Sequence, residues 1–186
     1  MKSWIIMLII GGLSLGSCKE KDSDVNPEVR FAPTDVIVKT KNTYTIDKVF
    51  DFINSYDHDV ELIYNSFYTS SLRPDSLQYV LDYLNKKSYT HENKNWPVSG
   101  YLHYQTQVIT IFPRLIHMKD RNNQADWLQS MKILKLKEVT DSKEVGGSII
   151  YFHVPVNEEK EWAEKFKKLD FVEWSELNYY VDIILH

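Results

Sequence analysis

The sequence predicts a mixed α+β fold in which short strands alternate with amphipathic helices. Three observations carry this. β-branched and aromatic runs stand at residues 35–40, 59–68, 148–156 and 171–185, bounded by polar or turn-forming residues. Between the first two runs and between the last two, apolar residues recur at the spacing of one helical face. Apolar types make up 43% of 186 residues and aromatics 13%, enough to build a core without disulfide staples.

The N-terminal segment is not part of that fold. Lys2 precedes an apolar run from Trp4 to Leu15, 12 residues long, against the ~20 that a membrane-crossing helix needs. A basic start, a short apolar middle and small residues describe a secretory signal peptide over residues 1–17. Leu15-Gly16-Ser17-Cys18 resembles the lipobox of bacterial lipoproteins. That resemblance implies cleavage before Cys18, acylation of its sulfur and attachment to the outer membrane of the cell envelope. Residues 18–33 lack a hydrophobic period, contain Pro27 and read as a flexible tether. Their charged run, Lys19 to Asp24, resembles the signal that exports Bacteroidota lipoproteins to the cell surface; the other reading is a spacer facing the periplasm.

The elements of residues 34–186, read as a single domain, follow in order. Asp35–Thr40 is a strand. Thr45 caps a helix whose Ile46, Val49, Phe50 and Ile53 share one face. Asp59–Tyr68 is a second strand. Pro74 opens a helix with Leu77, Val80, Leu81 and Leu84 inward and with Lys86 and Lys87 near its C-terminal dipole. Residues 88–100 form a polar loop, Tyr101–Ile111 a strand and Gln124–Met131 a short helix. Ile133–Lys137 and Ser148–Val156 read as strands joined by a hairpin loop containing Gly146-Gly147. Asn157 caps a helix with Trp162, Phe166 and Leu169 on one side and the pairs Glu161–Lys165 and Glu164–Lys168 on the other. Phe171–Leu185 closes the chain as a long strand.

A strand–helix–strand unit at each end predicts a ferredoxin-like split β-α-β sheet, with residues 69–130 inserted between the halves as helix and hairpin. The remaining sequence excludes several chemistries. Cleavage before Cys18 removes one lysine and no acid, leaving 21 basic against 26 acidic residues and a formal charge of −5, which does not suit a nucleic-acid platform. Gly100, Gly146 and Gly147, the glycines then left, make neither G-x-G-x-x-G nor a P-loop. The single Cys excludes thiolate metal clusters, and with Cys18 acylated no cysteine nucleophile is left. No two histidines stand in H-x-H or H-x-x-x-H spacing and no G-x-S-x-G occurs, so neither a local metal site nor a serine elbow is written. The expectation is a non-enzymatic protein without cofactors.

The stretch Ser148–Pro155, then Glu161–Leu169, then Phe171–Tyr179 resembles the second half of subtilisin-type prodomains, a family that includes stand-alone peptidase inhibitors. Val172, Glu173, Glu176, Asn178 and Tyr179 match a family strand that reads Val-Glu-x-x-Glu-Pro-Asn-Tyr, with Leu177 replacing the proline. The resemblance implies a sheet surface that packs on a subtilase-like peptidase, with Glu173 and Glu176 as acidic contacts. It also implies that the tail Asp182-Ile183-Ile184-Leu185-His186 enters the enzyme's cleft as an added strand. The alternative is a glycan-binding accessory lipoprotein that uses Trp96, Tyr101 and Tyr104 as an aromatic platform beside Pro97.

Overall fold

A computed structural model describes residues 30–91, 96–140 and 146–180. Cys18 and the residues 182–186 singled out above lie outside the described residues. The described chain is mixed α+β, with two antiparallel sheets and four α-helices. No helix in it is long and apolar enough to cross a membrane.

The larger sheet is assembled from both ends of the chain. β1 (Phe31–Thr40) leads into α1 (Ile46–Asn54) and β2 (Asp59–Tyr64). Far along the sequence, β8 (Ile149–His153) leads into α4 (Glu159–Lys167) and β9 (Val172–Tyr179). β8 pairs antiparallel with both β1 and β2, so those two strands run parallel to each other with β8 between them. β9 pairs antiparallel with the other side of β1. β6 (Leu115–Ile116), from the intervening segment, pairs with β2 and completes the order β6-β2-β8-β1-β9.

The intervening segment builds its own sheet. β3 (Tyr68–Ser70), β4 (Ser99–Leu102), β5 (Ile109–Phe112) and β7 (Leu136–Glu138) lie in the order β4-β5-β3-β7, accompanied by α2 (Leu77–Leu84) and α3 (Arg121–Ile133). Trp127 of α3 is fully buried edge-on against Tyr68 of β3, with ring centroids 5.3 Å apart. Lys87, just past α2, pairs with Asp126 of α3 at 2.8 Å, and the Tyr89 hydroxyl donates to the same carboxylate at 2.6 Å. Residues 88–91 are therefore tied down, with Tyr89 and Thr90 buried.

α1 joins the two parts. Besides the expected stripe of Ile46, Val49, Phe50 and Ile53, its Phe52 is buried too. Phe52 meets Phe152, Phe166 and Phe171 at 5.4, 5.7 and 5.0 Å in edge-to-face contacts. The Thr45 hydroxyl does not cap the helix; Glu138 of β7 accepts the Ile46 N–H at 2.8 Å instead. Near the other end, Asn54 and Gln124 exchange amide hydrogen bonds of 2.9 and 3.0 Å. One hydrophobic cluster consequently includes residues of both sheets.

Several expected boundaries move, for a shared reason. Asn65 takes a left-handed φ of 66°, which ends β2 and sends the chain into the other sheet as β3, so residues 59–68 are not one strand. A turn with Gln107 at φ 56° splits residues 101–111 into β4 and β5. Lys135 at φ 50° separates α3, which keeps Ile133, from β7. β7 and β8 lie in different sheets, so they form no hairpin. Asn157 is left-handed as well (φ 72°), and Glu158 occupies the cap position of α4. On that helix Lys165 sits 3.7 Å over the Trp162 ring, and Glu164 meets Lys167 at 3.9 Å, instead of the expected i, i+4 pairs. The α4 first turn is anchored by Glu159, whose carboxylate accepts the Thr34 N–H at 2.9 Å and is held below its usual pKa chiefly by that bond.

Candidate functional site

The larger sheet has two unlike faces. Inward residues Val36, Val38, Val60, Ile63, Ile150 and Phe152 are buried, and Phe152 stacks on Phe166 of α4 at 4.8 Å. Strand alternation turns Asp35, Ile37 and Lys39 of β1, Leu62 and Tyr64 of β2, and Ile149, Tyr151 and His153 of β8 to the opposite face. There Tyr64, Ile149, Tyr151, His153 and Trp174 are half-buried and Glu176 is exposed. Tyr64 and Tyr151 lie 5.9 Å apart, and burial pushes the Tyr151 hydroxyl up to about 12, reinforced by its hydrogen bond with Tyr64. An apolar centre with aromatic residues and a charged margin suits protein contact more than solvent.

Two polar clusters flank that centre. At one end His153 stands between two carboxylates, its Nδ1 3.1 Å from Asp35 and its Nε2 3.5 Å from Glu61. Asn178 of β9 donates to the second Asp35 oxygen at 2.9 Å. His153 is therefore a sheet-surface residue, as its alternating strand implies, and it is clamped there. At the other end Lys39 donates to the carbonyls of Gly146 and Gly147. Desolvation lowers the Lys39 pKa, opposed by the charge of Glu173. Glu173 and Glu176, read from the sequence as acidic contacts, are both exposed on the edge strand β9.

Of the three aromatic residues of the alternative platform, Trp96 lines one pocket and Tyr101 another. Trp96 is 59% exposed and carries the Arg114 guanidinium 4.8 Å above its ring. Tyr101 stacks on Phe112 at 5.6 Å in a shallow groove of the smaller sheet, which Phe67, Thr69 and Val139 also line. Tyr104 is 89% exposed in the turn between β4 and β5. The His58 ring, between Asp57 and Asp59, packs edge-on against Trp162 at 4.2 Å. Burial and the nearby Lys119 and Lys165 lower its pKa. Among the described residues no group of three or more His, Cys, Asp or Glu converges as a metal site requires.

Tyr64, Tyr151, Trp174, Glu61 and Arg114 are site residues that motif spacing did not single out. The available signal was phase: in 59–64 and 148–153 the residues alternating with the core positions include Tyr64 and Tyr151, where a plainly solvated face would be polar. Searched against protein families, curated proteins and solved structures, the chain matches none.

Proposed function

We propose that the chain is a lipid-anchored, non-enzymatic protein of the bacterial outer membrane whose larger sheet docks another protein. The sheet is then a ferredoxin-like split β-α-β arrangement, supported by the strand order β2-β8-β1-β9 and by the crossings of α1 and α4. The observation that carries the reading is the half-exposed aromatic face of that sheet, backed by helices on its other side. A surface that keeps Tyr64, Tyr151 and Trp174 partly in water gains free energy when a partner covers them.

In its sharpest form the partner is a subtilase-like peptidase, with Glu173 and Glu176 as acidic contacts and residues 182–186 entering the cleft. The chain from Lys19 onward, assayed against subtilisin-type peptidases, is expected to slow hydrolysis of a chromogenic peptide. Removing residues 182–186 should abolish that inhibition, and Tyr151→Lys should weaken it. If the intact chain slows no subtilase, the peptidase form of the reading is wrong. If deletion of the tail leaves inhibition unchanged, the assigned mode of entry is wrong.

A further inference from the structure

A separate pocket opens where β2 meets β6, and it does not rest on the docking reading. Its volume is about 190 Å³, and its walls include Glu61, His91, Trp96, Arg114 and His117. Arg114 lies between two rings, 4.8 Å from the Trp96 centroid and 5.8 Å from that of Tyr64. Among the described residues its guanidinium has neither an ion pair nor a hydrogen bond, although five planar donors are available. Ring contacts hold the cation while its N–H edge takes no partner among the described residues, which suits a guanidinium to a planar carboxylate.

The other walls narrow the ligand. Glu61 faces this pocket and also His153, on its other side. A compact polyanion such as phosphate would meet the Glu61 carboxylate, whereas a ligand with hydroxyl groups would donate to it. His91 Nδ1 is buried with no hydrogen-bond partner among the described residues, which adds a polar atom awaiting one. The half-exposed Trp96 ring offers a flat apolar surface to the face of a saturated ring.

We infer that this pocket takes a hydroxylated ring carboxylate of the uronate type, with its carboxylate on Arg114, its ring face on Trp96 and a hydroxyl on Glu61. Each contact uses a different chemistry of the same ligand, which a bare anion or a neutral sugar cannot supply together.

The test is a titration of the chain from Lys19 onward with D-glucuronate and D-galacturonate, with glucose and inorganic phosphate in parallel, followed by calorimetry and by NMR of the indole N–H of Trp96. Saturable binding of a uronate that moves the Trp96 signal is expected, with glucose and phosphate weaker. Arg114→Gln should weaken uronate binding by roughly tenfold or more, as one lost charge-assisted contact implies. Trp96→Phe should retain binding and Trp96→Ala lose it; circular dichroism establishes that each variant is folded. Phosphate binding in preference to both uronates, uronate affinity unchanged in Arg114→Gln, or no uronate binding at all would overturn the inference.

Discussion

Glu138 shows how one residue links distant parts of the chain and what that costs. Its carboxylate caps α1 from another sheet, yet it is buried, and burial pushes its pKa up to about 7 from the ordinary 4.5. The folded state then holds the Glu138 proton more tightly than the unfolded chain does. Its stabilising contribution is complete below pH 4.5 and is lost as pH rises towards 7. The full shift corresponds to a loss on the order of 3 kcal/mol, with the Ile46 N–H already opposing the effect of burial. Urea unfolding at about pH 5 and about pH 8 should show the parent losing stability over this interval, and Glu138→Gln losing less. Equal slopes for both proteins would refute the assignment. Gly147 is under constraint as well: its φ is 68°, and an added Cβ would clash with the Thr40 carbonyl. Gly147→Ala should cost more than about 1 kcal/mol, read as a lower urea midpoint.

Among the elements, α1 touches both parts of the chain, through Phe52 on the larger sheet and through Glu138 and Gln124 on the other side. Phe52 bridges it to β8, α4 and the start of β9, so Phe52→Ala should destabilise by about 3–5 kcal/mol. A fall below about 1 kcal/mol in chemical denaturation would mean that the aromatic cluster relaxes into the space. α1, α4 and the strands beside them were legible because hydrophobic period and strand composition act locally. The breaks at Asn65, Gln107 and Lys135 were not, since left-handed backbone there falls on residues other than glycine, and no turn motif announces it. The Thr45 cap failed for a different reason: a carboxylate 92 positions beyond Ile46 took over its role.

For the molecule as a whole, the proposed function would divide the two faces of the larger sheet between stability and recognition. Replacing a half-exposed aromatic residue on the open face should therefore weaken partner binding while sparing the fold. Tyr151→Lys is expected to lower inhibition of the peptidase with an unfolding free energy within about 1 kcal/mol of the parent. A large loss of stability would mean that this face belongs to the core. The Arg114 pocket could not be read from spacing, because residues 61, 91, 96, 114 and 117 converge only after β2 pairs with β6 and β4 with β5. The proposed lipid anchor, by contrast, rests on a purely local signal, and mass spectrometry of the purified protein should find an acylated Cys18 as its first residue. A free thiol behind an intact leader would remove the membrane attachment.

The margins of the larger sheet are unequal: β6 has two residues and β9 has eight. A two-residue margin is too short to template an incoming strand, so among the described residues β9 is the side from which this sheet can be extended. Two copies meeting there would use up both long margins at once. Chain-to-chain growth through this sheet would stop at a pair, which keeps crowded molecules from zipping into fibres by that route.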